Sequence, residues 1–248
     1  MNSKYFNVTV KPDMTGNNAV TAFGSGDLMF DWTEFSIPKG GARLIGVTAL
    51  VKGADIARQE IAMDIYFAKP LTSDRTTAPT SLGTVNGTAA GAGFSNELLG
   101  ALVINAEDYR DHLDNMSVAH VNFISGAANT SSGAGFVLDD VTHPYNNPSY
   151  NKYYIGVCAG GAFDFGTGVL ANDAVEVGAT TFAVDGNAAS KAFGPGDVIV
   201  DNGNAAIGTV KTVSTTSITL ESGCTEAVGD DDEIVPKNPI TFILHFES

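Results

Sequence analysis

The chain has 248 residues, with 44% hydrophobic residues, and 28 Asp and Glu against 13 Lys and Arg give it a formal charge of −15. That hydrophobic share supports a packed core of one large or two modest domains, which excludes a disordered chain. The negative excess opposes binding to nucleic-acid phosphates and to anionic membrane surfaces, so neither is an expected partner.

The N-terminal segment Met1 to Pro12 (MNSKYFNVTVKP) lacks a basic region followed by an apolar run. No stretch elsewhere reaches the roughly 18 apolar residues of a membrane span. The expectation is a chain made for the cytoplasm of its producing cell, or one that leaves it without a cleaved signal. The alternation of apolar residues then predicts strands, at period two and not 3.6. Tyr5 to Val10, Leu28 to Ile37 and Arg43 to Val51 come first. In residues 59–68 (QEIAMDIYFA), Ile61, Met63, Ile65 and Phe67 fall on one side, opposite Glu60, Ala62, Asp64 and Tyr66. Leu98 to Ala106, Val118 to Ile124, Phe136 to Asp139 and Asn151 to Gly160 follow, and Pro239 to Phe246 closes the chain. Ala106 to Asn115 (AEDYRDHLDN) is the one helical candidate, with Tyr109 and Leu113 four apart. Gly- and Pro-rich tracts separate the strands: Pro38 to Gly41, Gly87 to Gly93, Gly126 to Gly135 and His143 to Ser149.

Between the last two of these strands lies a different texture. Ala174 to Val184 ends at Asp185-Gly186, Phe193-Gly194-Pro195-Gly196 turns into Asp197 to Asp201, and Asn202-Gly203 leads to Ala206 to Val213 and then to Ser217 to Leu220. Asp-Gly and Asn-Gly favour tight hairpin turns. A meander so short closes best as a small barrel, because it cannot otherwise hide its edges. The reading is therefore all-β: a jelly-roll-like β-sandwich body over residues 1–168, completed by 237–248, with a small SH3-like β-barrel over 169–236 inserted before the last strand. Residues 166–238 hold eleven acidic residues and three lysines, so about half the net charge sits in the insert, which is expected to point into solvent.

No motif for nucleophilic, dinucleotide or phosphate chemistry is present. Gly24-Ser25-Gly26 reads as a turn, and His112, His120, His143 and His245 have no metal-binding spacing. Cys158 lies in an apolar strand and Cys224 in the insert, and both are expected to be free thiols. Two clusters stand out. Asp230, Asp231, Asp232 and Glu233 offer oxygen ligands that suit Ca²⁺ or Mg²⁺, yet consecutive strand positions alternate sides, so a solvated acidic turn is the competing reading. Tyr145, Tyr150, Tyr153 and Tyr154, among Asn146, Asn147 and Asn151, are suited to an interface anchor or a sugar platform, or to pinning a long loop to the sheet.

The pattern GATTFAVDG … FGPGDVIVDNGNAAIGTVKTVSTTSITLESG … DDDEI resembles small β modules in structural proteins of tailed bacteriophages. The body, with MDIYFAKP and PTSLGTVNG, resembles virion proteins of marine phages. That resemblance carries over no catalytic residue and no cofactor. It implies a non-enzymatic virion component on the capsid surface, a decoration or cement protein bound to the major capsid protein lattice; for such a role Tyr145, Tyr150 and Tyr153 are the interface candidates, because aromatic side chains bury large area. That role suits a homotrimer at local threefold positions. The alternative from another class is a carbohydrate- or receptor-binding module of a tail fibre or cell surface.

Overall fold

The computed structural model describes residues 4–14, 22–38, 41–52, 59–71, 77–110, 113, 116–122, 136–138, 141–142, 149–165, 168–186, 189–201 and 205–248. The body strands, in chain order, begin with β1 (Tyr5–Val10), β2 (Leu28–Ser36), β3 (Ala42–Lys52), β4 (Met63–Ala68) and β5 (Leu98–Ile104). Then come the short β6 (Tyr109–Arg110), β7 (Met116–Asn122), β8 (Phe136–Leu138), β9 (Val141–Thr142), β10 (Ser149–Tyr150) and β11 (Lys152–Ala159). The insert contributes β12 (Val169–Leu170), β13 (Thr181–Ala183), β14 (Val198–Asp201), β15 (Ala206–Val213), β16 (Ser217–Leu220) and β17 (Glu233–Pro236), and β18 (Ile240–Glu247) ends the chain.

Eight long strands make two facing sheets, β1-β18-β3-β7 and β2-β11-β4-β5, with β6 extending the first and β8 pairing with one end of β3. Counted along the chain, the first of the eight pairs with the last, the second with the seventh, the third with the sixth and the fourth with the fifth, all antiparallel. A chain folded back on itself in this way and wrapped into two sheets is a jelly roll. The body is thus a β-sandwich of jelly-roll topology.

Alternation places Ile240, Phe242, Leu244 and Phe246 of β18 opposite Met63, Ile65 and Phe67 of β4 and Tyr153, Ile155 and Val157 of β11 in one core. Phe242 and Phe30 bring their rings within 6.0 Å across the sandwich. The second sheet is covered on its outer side as well, where Leu82 and Phe94 pack on Leu28 and Cys158, with Trp32 and Tyr66 alongside. That cover explains why β11 is buried at seven successive positions instead of alternating.

The expected helix at Ala106 to Asn115 shrinks to a single 3-10 turn, Ala106–Asp108. Asn105 and Asp108 cap it reciprocally, and the chain then becomes extended at Tyr109, whose buried hydroxyl donates to the Ile61 carbonyl at 2.9 Å. Anchoring Tyr109 in the core outweighs the local helical tendency. In the insert, the expected strand Ala174 to Val184 is broken by a turn at Gly178, whose φ of +89° ends extended pairing, so only Thr181–Ala183 remains a strand. A short helix at Ala189–Ala192 and strands β12 and β17 were not expected.

The six insert strands pair in the order β12-β17-β14-β15-β16-β13. The ring is closed by an Ala171–Val184 bridge, in which Asp185 N–H donates to Leu170 O at 2.9 Å and Asn172 N–H to Ala183 O at 3.2 Å. The barrel has its own core, including Phe182, Phe193, Ile199, Ile207, Ile218 and Ile234. Its wall is shared, however. Ile199 and Ile234 point into the barrel, whereas the paired Val200 and Val235 belong to the body core. Lys52 at the end of β3 also pairs with Asp197 at 2.5 Å. The acidic turn Asp230 to Asp232 is exposed, while β14 and β17 dock against the body through Val200 and Val235.

Three tight turns share one design. Gly24, Gly194 and Gly229 each donate their N–H to the side chain of the Asp three residues on, at 2.6, 2.8 and 2.5 Å, while that Asp N–H donates back to the glycine carbonyl. The residue before the Asp takes positive φ, which Gly26 and Gly196 adopt without steric cost and Asp231 adopts as one of the few residue types that tolerate it.

Candidate functional site

The outer face of the β1-β18-β3-β7 sheet carries one polar rung across four strands. Asn7 lies opposite His245 and Thr48 opposite His120 in the strand register. His245 Nδ1 lies 2.9 Å from Asn7 Oδ1, its Nε2 lies 2.8 Å from Thr48 Oγ1, and Thr48 Oγ1 lies 2.8 Å from His120 Nδ1. The protons follow from the Asn7 amide, whose carbonyl oxygen can only accept. His245 Nδ1–H therefore donates to Asn7, and the Thr48 hydroxyl bridges His245 Nε2 and His120 Nδ1. Nε2 of His120 takes no part in the rung.

Burial, and then the neighbouring His120 ring at 5.3 Å, hold His245 below its ordinary value of 6.5. The unfolded chain then binds this proton more readily than the folded one. The contribution is fully present above pH 6.5 and is lost as pH falls through the lowered folded value. Thermal melts from pH 7.5 down to 5 should show a loss of stability that is shallower in His245→Gln; an unchanged slope in that variant would show that the rung does not titrate with folding.

Beside the rung is an open cavity of about 520 Å³ whose lining includes Tyr5, Asn7, Ile45, Gly46, His120 and His245. Its floor is made by Gly46, which pairs with His245 on one side and Asn122 on the other. The register shifts between His245 and Phe246, so that β3 has one extra residue, Ile45, at this point.

The acidic run lies in one of the tight turns. Asp230, Asp231 and Asp232 are exposed, Asp232 accepts from Gly229 N–H, and Glu233 accepts from Gly168 N–H. Two of the four carboxylates thus hold backbone, and among the described residues no three His, Cys, Asp or Glu converge on one point. Of the tyrosines, Tyr145 lies outside the described residues, and Tyr150 falls in β10. Tyr153 is only 5% exposed and packs on Phe35 at 6.0 Å between centroids, and Tyr154 is buried with its hydroxyl 3.4 Å from Glu34 Oε2. Tyr153 is a core residue, so its reading as an interface anchor is corrected: the strand Lys152–Ala159 buries both of its faces.

Both cysteines are free and buried. Burial first, then the charges of Asp64 and Asp27, push the Cys158 thiol up to about 11, which makes it a poor nucleophile. His112 and His143 lie outside the described residues. His120 and His245 lie 125 positions apart in the sequence, and the pairing of β18 and β7 with β3 brings them together. No helix among the described residues is long and apolar enough to cross a membrane.

The fold thus defines a jelly-roll protein carrying a closed β-barrel between its seventh and eighth long strands. Neither a family model nor a curated protein matches the chain. A solved structure of infectious bursal disease virus, Gx strain, is similar at 8% identity and a TM-score of 0.16, over 99% of this chain and 40% of that one. This chain therefore spans about 40% of the length of that structure, and a likeness of this size carries no argument.

Proposed function

We propose that the chain is a non-enzymatic structural protein of a tailed-phage virion, a decoration or cement protein that binds the outer capsid surface and stabilises the shell. The observation that carries the reading is the barrel's place in the jelly roll. It is spliced into a single connection at one end of the sandwich, with its acidic turn Asp230 to Asp232 exposed, which leaves the other end of the body for contact. Desolvating the excess negative charge of the barrel against a shell would be costly, so the body is the better contact surface. The sequence resemblance to virion proteins supports the same reading. The partner is the major capsid protein lattice, the working unit a homotrimer, and the place of action the virion surface. Burial of contact area across neighbouring capsomers stabilises the assembled state by mass action.

A tail-fibre module using Tyr145 to Tyr154 as a sugar platform loses Tyr153 and Tyr154 to the core. Co-sedimentation of the purified protein with empty capsids tests the proposal. Saturable retention is expected, weakened by Tyr145→Ala with Tyr150→Ala, whereas Tyr153→Ala should lower stability instead. Absence of wild-type retention would remove the capsid reading.

A further inference from the structure

The rung face contains a hollow that the jelly roll itself does not require. Gly46 stands in the interior of β3, a central strand, where glycine weakens a sheet and often marks the close approach of a ligand or another backbone. A side chain there would project over the hollow, its Cβ 3.1 Å from the Val121 carbonyl oxygen and 3.4 Å from Asn122 Cβ. The bulge at Ile45 falls at the same rung, and bulges re-aim side chains beside functional sites.

The chemistry of the wall narrows the ligand. None of the eight lining residues carries a carboxylate, an ammonium or a guanidinium, in a chain with 41 charged side chains. Recognition of an anion or a cation is therefore not built in, and a net charge of −15 repels anions further. A wholly apolar ligand would strip water from the Asn7 amide and His120 Nε2 without replacing it. With Oδ1 committed to His245, Asn7 offers its Nδ2 hydrogens, and the His120 ring, held through Nδ1 by Thr48, presents its Nε2. Tyr5, 69% exposed with its hydroxyl 3.4 Å from Glu247 Oε1, supplies an aromatic surface at the rim. Two hydrogen-bonding groups beside an aromatic surface match a molecule that has hydroxyls on its edge and C–H groups on its face.

We propose that the hollow over Gly46 binds a neutral saccharide ring, with Tyr5 stacking on it and Asn7 and His120 hydrogen-bonding its hydroxyls. A monosaccharide of this size in an open site binds with roughly millimolar affinity. The site does not depend on where the chain sits in a particle.

The test is saturation-transfer NMR on the full chain with methyl glycosides of neutral hexoses and N-acetylhexosamines, and with sialic acid as an anionic control. Transfer to at least one neutral glycoside is expected. Its affinity should fall about tenfold in Asn7→Ala and in His120→Gln, the loss of one hydrogen bond each, and stay unchanged in Thr9→Ala on the same face. Gly46→Ala should also abolish it, and if that variant does not fold, the two polar substitutions decide. No transfer from any neutral glycoside, transfer to sialic acid alone, or equal binding in His120→Gln would each overturn the proposal. Failure here leaves capsid binding untouched, because the two are measured on different ligands.

Discussion

Removing Val169–Pro236 and joining Gly168 to Lys237 through a short Gly-Ser linker should leave a jelly roll that still unfolds cooperatively, but at a temperature about 10 °C lower. The join is feasible because the insert begins and ends on paired strands, with Val169 opposite Ile234. The two ends are therefore neighbours across one ladder, and closing a short loop between them costs little entropy. The loss of stability comes from the shared wall. Val200 and Val235 are buried in the body core, and each contributes about 1.5–3 kcal/mol of burial. Deletion also leaves Lys52 without its Asp197 partner, an ion pair that is partly exposed and contributes little. Calorimetry of the shortened chain gives the answer. A non-cooperative melt would show that the body cannot fold without the barrel, and an unchanged melting temperature would show that the wall adds nothing.

Phe242→Ala should cost about 3–5 kcal/mol, the range for deleting a large buried aromatic ring. Phe242 is fully buried on β18 and meets Phe30 of the opposing sheet, so it joins the two layers of the sandwich. β18 is also the strand that arrives only after the barrel is complete, and it pairs with β1 and β3 on its two edges. Weakening it loosens the sheet from its centre. Chemical denaturation followed by far-ultraviolet circular dichroism measures the effect, and a cost below about 1 kcal/mol would contradict face-to-face packing of these two sheets.

Much of this architecture is written in period-two alternation. Tyr5–Val10, Ala206–Val213 and Ser217–Leu220 have the bounds read from the sequence, and the other long body strands differ by a few residues at their ends. Strand β17 escaped because Ile234 and Val235 face two different cores, which erases the polar side of the alternation, and Pro236 argues against a strand. The interface reading of Tyr153 failed for a related reason. Alternation cannot report that residues 77–97 cover the second face of β11. The polar rung was not legible at all, since it needs the register of the first strand against the last and of both against the middle of the chain. The one local signal near it was Gly46, a glycine in the middle of a strand.

Electron microscopy of the parent particle tests the capsid reading most directly. The reading predicts trimeric density on the outer head surface at local threefold positions, with the sandwich against the shell and the barrel, which carries the Asp230 to Asp232 turn, on the side away from it. Density for this chain at the tail, or a head surface that lacks it, would contradict the reading.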